Sequence, residues 1–259
     1  MQTADTLPIL RLEGVCKSFG GVVAADDVTF NVVRGEIMGL IGPNGAGKST
    51  LMNLISGIYE VDAGSLFIDE VDVTRAPSHD RAKMHLARTF QSPRFLNKAS
   101  IRDNMLLGTD LADRIGFWKS FLGKKKSNFD EEIAKLMKMT GFELDWGDDI
   151  SSLPYGHQKL LEIVRALLTH PKIMLVDEPA AGLNSKEIDL AISLLRYATG
   201  ELNVGVVLIE HSMDMIMNIC HRIVVLNFGK VIAKGTPREV SGNKDVIEAY
   251  LGRGYDAAN

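Results

Sequence analysis

The apolar positions of this chain change period several times, and each change marks an element. "ILRLEGV" and "VTFNVV" alternate as half-buried strands do, while "IMGLIG" is continuously apolar, as a strand covered on both faces would be. The last of these runs into "GPNGAGKST" and a helical stretch, "STLMNLISG", which Gly57 should stop. "GSLFIDEVDV" reads as a further strand pair. Over residues 92–157 strand patterns thin out and helical ones take over. In "NFDEEIAKLMKMTG", Asn128 and Glu131 have capping-box spacing and Gly141 marks the stop. After residue 158 strands and helices alternate through "KIMLVDE", "SKEIDLAISLLRYATG", "GVVLIE", "MDMIMNICH" and "RIVVLN", the rhythm of a parallel sheet with crossover helices. One short helix, "KDVIEAYLG", is expected in the tail.

Composition narrows the class without changing that picture. The 259 residues, 46% hydrophobic and 24% charged, suffice for a packed core with an inserted subdomain. A net charge of −4 argues against nucleic acid as the main partner. Cys16 and Cys220 sit inside hydrophobic patterns and read as buried thiols in a reducing compartment, with no metal spacing. "MQTADTLPIL" lacks the charged and apolar regions of a secretory signal, and no apolar run is long enough to span a membrane. The expectation is a soluble, cytoplasmic chain whose membrane role comes through a partner. The one basic run, "GKKKS" at 123–127, reads as a solvated loop in preference to a lipid-facing patch.

Chemistry enters at Gly42-Pro43-Asn44-Gly45-Ala46-Gly47-Lys48-Ser49, a full Walker A pattern with a strand before it and a helix after it. Its glycines let successive N–H groups turn toward phosphate oxygens, and the helix beginning near Lys48 adds its positive end. Lys48 is the candidate cation for the β- and γ-phosphates, Ser49 the candidate Mg²⁺ hydroxyl, and Thr50 completes the ATP-binding set. The strand in "KIMLVDEP" ends in Asp177, placed to reach the Mg²⁺ shell, and Glu178, placed to polarise an attacking water. An apolar strand ending in Asp-Glu is common by itself; beside the cradle it becomes the second half of a hydrolytic site. "SLPYGHQKLLE" reads as a helix start at Pro154, Tyr155 and Gly156, whose free N–H groups attract an anion. The fold class is therefore α/β: a P-loop nucleotide-binding core (8–91 and 158–236) with an antiparallel β piece, a helical subdomain (92–157) and a tail (237–259).

The order of motifs carries a resemblance. Walker A, "TFQSP" with Gln91, "LPYGHQ", "LVDEP", "AGLN" and "IEH" with His211 follow one another as in ABC-transporter ATPase subunits. "RTFQ", "LPYGHQ" and "DEPAAGLN" look most like the ATPases of branched-chain amino acid importers, with relatives serving urea, amides or lipopolysaccharide similar. The resemblance implies that the signature helix closes over ATP held by a second ATPase subunit, and that ATP drives pairing while hydrolysis separates the pair. It also implies membrane permease partners, a related ATPase in a homo- or heterodimer, and an external solute-binding protein. It gives Gln91 a Mg²⁺ or water contact, His211 a γ-phosphate contact and Phe19 an adenine-stacking place, against readings of Gln91 as a polar strand end, His211 as scaffold and Phe19 as core. His221 is left as scaffold.

Two departures from the family pattern stand out. The common Leu-Ser-Gly-Gly-Gln is here Leu153-Pro154-Tyr155-Gly156-His157, so a phosphate-donating hydroxyl is missing; a working but weaker contact and a silent half-site both stay open. Asn184 replaces the usual Asp and, with Glu187, reads as a capping box that also reaches across the dimer. Arg94, Phe95 and Leu96 form either a permease docking surface or a hydrophobic loop anchor, and Met213, Met215 and Met217 are expected to pack. A DNA-repair relative would need long heptads, a translation-type relative two cassettes, and a small-molecule P-loop kinase would leave "LPYGHQ" unexplained.

Overall fold

A computed structural model describes residues 7–107 and 128–251, apart from the side chains of 128–130 and 251. The basic run at 123–127, residues 252–259 and the capping role expected of Asn128 lie outside the described residues. An antiparallel pair, β1 (Pro8–Phe19) and β2 (Val22–Val33), is followed by β3 (Ile37–Ile41) and α1 (Lys48–Ile55). A hairpin of β4 (Ala63–Ile68) and β5 (Val71–Asp72) leads to α2 (Ser78–Lys83) and β6 (Leu86–Arg88). Helices α3 (Ile101–Leu106) and α4 (Asn128–Thr140) and a 3₁₀ turn at Ile150–Ser152 precede α5 (Tyr155–Leu167). Alternation then returns: β7 (Ile173–Asp177), α6 (Ser185–Gly200), β8 (Gly205–Ile209), α7 (Met213–Ile219) and β9 (Arg222–Asn227). The described chain closes with β10 (Lys230–Gly235), α8 (Pro237–Ser241) and α9 (Lys244–Leu251).

The strands form two sheets. One is antiparallel, in the order β2-β1-β4-β5; the other runs β10-β9-β3-β8-β7-β6 and is parallel except for the β9–β10 pair. The continuous apolar runs follow from burial on both faces. Met38, Ile173, Leu175, Val207 and Val224 face a core shared with the antiparallel sheet and α1. Their neighbours Ile37, Met174, Val176, Val206 and Ile223 face a second core under α5 and α6. Strand period 2 thus sends alternate side chains into different cores. The carboxyl ends of β3, β6, β7 and β8 lie along one edge, where α/β ligands bind.

Helix α2 has no apolar stripe; its one buried side chain is Arg81. That guanidinium donates to Leu54 O (2.5 Å) and Ile55 O (2.9 Å) at the end of α1, where carbonyls lack the regular helical partner, and to Ala76 O (2.8 Å) and Thr74 O (3.3 Å) just before α2. Burial lowers its pKa to about 10, so it stays charged.

Two expectations are corrected. Of the methionines on α7 only Met215 is buried, with Met213 and Met217 exposed. A helix places i and i+4 on one face and i+2 on another, so a short helix lying on the surface buries only one of those sets. Cys16 is half-buried, not buried, whereas Cys220 is inside the core with its thiol pushed up to about 12 by burial. His221 is scaffold as expected: its Nδ1 accepts the Ile37 N–H at 3.0 Å.

Candidate functional site

The cradle begins where β3 ends. Gly42 and Gly47 have φ of 153° and 104°, and a β-carbon would lie 2.1 Å from Leu226 O at the first and 2.2 Å from Ala24 O at the second. Both conformation and packing therefore require glycine there. No side chain caps α1, leaving its first N–H groups for an anion. The turn after β9 braces the loop through Gly229 N–H to Ala46 O at 2.9 Å. Lys48 Nζ donates to Gly42 O (2.6 Å) and Pro43 O (3.0 Å), inside the loop's own curve. Burial lowers its pKa, opposed by Glu178 and Asp177. Asn44, Gly45 and Ser49 are exposed, with Pro43, Ala46 and Thr50 more enclosed.

The two carboxylates stand at the end of β7. Asp177 is 9% exposed; its N–H donates to Thr89 Oγ1, and Arg88 lies 3.8 Å from its Oδ2. Burial raises its pKa, with Arg88 pulling the other way. Glu178 occupies the left-handed region, φ 48°, uncommon for a residue with a side chain, and its N–H is fixed on Ile209 O at 2.9 Å. One carboxylate oxygen accepts Gln91 Nε2 at 2.8 Å; the other lies 3.0 Å from His211 Nε2. Segments following β6, β7 and β8 thus converge on one carboxylate.

The oxygen donors fit a magnesium ion. Ser49, Asp177 and the free amide oxygen of Gln91 are hard ligands, and Asp177 is a desolvated carboxylate whose burial a cation would relieve. Among the described residues no three His, Cys, Asp or Glu side chains cluster as a cage, so the ion would rely on substrate phosphates for further ligands.

The signature segment forms the start of α5, with Pro154 as N-cap residue and no side-chain cap. Tyr155 is exposed, its hydroxyl donates to Gln91 O at 3.3 Å, and its ring lies beside Gly182. His157 stacks flat on Phe142, ring centroids 3.9 Å apart, which gives the imidazole an intrachain role. Asn184 caps α6 in the expected capping box with Glu187. Phe19 is 41% exposed and meets Tyr59 edge to face at 5.2 Å, so the core reading fails for it. Phe95 packs against the helical core with Arg165 over its ring, while Leu96 is exposed; the trio is part anchor, part free surface.

The sequence reading missed Glu210. Only 6% exposed, it accepts Ala180 N–H at 2.8 Å with one oxygen, and His211 N–H (2.6 Å) and Ser212 N–H (3.1 Å) with the other. It ties the loop after Glu178 to the loop bearing His211. A carboxylate ending the apolar run "VVLIE" was the available signal.

Comparison with known proteins decides the family. The family described as ABC transporter matches residues 25–181. The chain belongs to it. A second family, branched-chain amino acid ATP-binding cassette transporter, matches residues 230–256. The cassette is 36% identical over 250 residues to the high-affinity branched-chain amino acid transport ATP-binding protein LivG of Salmonella typhimurium, covering 95% of this chain and 98% of that protein. The high-affinity branched-chain amino acid transport ATP-binding protein BraF of Pseudomonas aeruginosa is 35% identical over 255 residues, at 95% and 98% coverage. The ADP-bound crystal structure of an ABC transporter cassette matches with a TM-score of 0.80 and 30% identity, over 95% of this chain and 100% of that one. A dimeric cassette in a post-hydrolysis state with ADP and Pi matches at TM-score 0.75 and 24% identity, over 88% and 99%, a likeness of fold alone. The cassette is an ABC ATPase: it binds ATP and hydrolyses it to power transport. Among the described residues no helix is long and apolar enough to cross a membrane.

Proposed function

We propose that this chain powers a branched-chain amino acid importer, cycling between an ATP-bound closed pair and an open pair. The observation that carries the hydrolytic half is Glu178, bracketed by Gln91 and His211 at the end of β7. In this reading Gly42 to Thr50 cradle the triphosphate and Lys48 neutralises its outer phosphates. Glu178 accepts the proton of the attacking water while Gln91 and His211 hold the carboxylate in line. His211 also reaches the γ-phosphate. Phe19 stacks on adenine.

Ser49, Asp177 and Gln91 would hold Mg²⁺, which when bound neutralises charge on the phosphate oxygens. The N-terminus of α5, at Pro154, Tyr155 and Gly156, closes over nucleotide held by a second ATPase, identical or related. Pro154 offers neither a hydroxyl nor an N–H, so donation falls to the backbone N–H groups that follow it, from Tyr155 and Gly156 onward. Residues 92–157 act as the helical subdomain and, with exposed Leu96, meet the permeases on the inner face of the membrane. Residues 8–91 and 158–236 form the nucleotide-binding core, and an external solute-binding protein delivers the cargo.

The relatives' branched-chain amino acid roles, and the match at 230–256, support the choice of cargo. The test is Glu178→Gln. It should retain ATP, trap the pair on size exclusion and abolish turnover. Undiminished hydrolysis would overturn the mechanism. Radiolabelled leucine uptake by vesicles holding the full complex tests the cargo.

A further inference from the structure

Helix α5 buries ionic side chains beyond its first turn. Lys159 and Glu162 are each 2% exposed, and Arg165 follows one turn later. At spacings of three and four residues, Tyr155, Lys159, Glu162 and Arg165 share one stripe. Every member of that stripe holds the segment bearing Gln91. Tyr155 Oη donates to Gln91 O at 3.3 Å, Lys159 Nζ to Phe90 O at 3.4 Å, and Arg165 Nη1 to Arg94 O at 2.7 Å. Glu162 Oε1 accepts the Phe90 N–H at 3.2 Å, and the Arg165 guanidinium stacks 4.5 Å over Phe95.

The same Lys159 ammonium donates to Glu178 O at 3.0 Å. That carbonyl belongs to the residue whose φ of 48° a side chain rarely adopts, so the peptide needs outside contacts to stay where it is. Burial works against the charged forms of Lys159 and Arg165 and in favour of neutral Glu162. An apolar stripe would avoid that cost but would leave the irregular segment's peptide groups without partners.

We propose that Lys159, Glu162 and Arg165 are positioning residues forming a strap that locks the Gln91 segment and Glu178 to the signature helix of the same chain. This rests on the hydrolytic roles given above to Gln91 and Glu178. Its consequence is directional: displacement of α5 as its N-terminus meets the second subunit's nucleotide moves Glu178 and Gln91 of its own site. Hydrolysis in one site is thereby tied to closure over the other, through Lys159.

The experiment compares Lys159→Met, Lys159→Arg and Glu178→Gln in the full complex, measuring kcat, KM for ATP and ATP-dependent closure by cross-linking. Lys159→Met should lower kcat by on the order of tenfold or more, as expected for a misplaced catalytic group, with KM and closure within about twofold. Lys159→Arg, which restores a buried donor, should recover most of kcat. Unchanged kcat in Lys159→Met, or a loss matched by KM and closure and not rescued by Arg, overturns the strap. If Lys159→Met fails to fold, Arg165→Lys takes its place, with the same split expected and the same outcomes decisive. Should Glu178→Gln still turn over, the proposed mechanism falls and takes the strap with it. Should Glu178→Gln be inactive while the strap variants are normal, only the strap falls.

Discussion

Gly156, in the first turn of α5, sits against the carboxylate of Glu187, in the first turn of α6. A β-carbon at 156 would lie 2.2 Å from Glu187 Oε1. That carboxylate is not free to swing away, because it accepts Asn184 N–H at 2.9 Å while Asn184 Oδ1 accepts Glu187 N–H at 3.0 Å. The glycine of the signature segment thus has a structural reason inside its own chain, besides any nucleotide it meets. Gly156→Ala should break the capping box and cost about 1 kcal/mol. In a Glu187→Ala background the same change should be neutral or slightly stabilising, since alanine is the better helix former. Urea unfolding of the double-mutant cycle checks this; additive effects would dismiss the contact.

Arg81 offers a larger effect. Four carbonyls accept from one buried guanidinium, and Arg81→Met would strip the charge-assisted bonds from two at the end of α1 and two just before α2. Each such bond is worth about 1.5–3 kcal/mol, and some carbonyls will find water, so a loss of about 3 kcal/mol or more is expected. Thermal and urea unfolding measure it. A loss below about 1 kcal/mol would show that α1 does not rely on this anchor.

The cradle, β3, β7 and β8 were legible because their signals are local: a glycine spacing, or apolar runs that only a doubly covered strand carries. Gln91 and His211 were legible through motif order, yet nothing in the sequence could place them on the two oxygens of one carboxylate. Helix α2 was missed because its anchor is an arginine whose partners lie 5–27 residues away. Lys159 and Glu162 look like solvated helix charges in "GHQKLLE"; only tertiary packing shows them buried. The methionines of α7 misled because apolar residues two apart fall on different helix faces.

His211 tests the bracket around Glu178. His211→Ala removes the neighbour of one carboxylate oxygen and leaves Gln91 on the other. Turnover should fall by on the order of 10²-fold, the scale of an acid–base or positioning contribution, while fluorescent ATP still binds. Steady-state ATPase and equilibrium nucleotide titration separate the two. Equal losses in both would assign His211 to binding.

Glu162 makes a pH prediction of definite sign. Burial raises its pKa from the ordinary 4.5 to about 7, against the pull of Phe90 N–H, Arg165, Lys159 and the Arg94 backbone. Between those values the folded chain holds a proton that the unfolded chain has released. This group's contribution is therefore favourable at low pH and is lost as pH rises through that window. The interval corresponds to on the order of 3 kcal/mol at most. Glu162→Gln keeps an acceptor for Phe90 N–H but has no proton to lose. Relative to wild type, the variant should gain stability steadily from about pH 4.5 to 7 and no further above it. Urea midpoints across that range read the difference; a gap that does not change with pH would mean Glu162 ionises as an exposed carboxylate does.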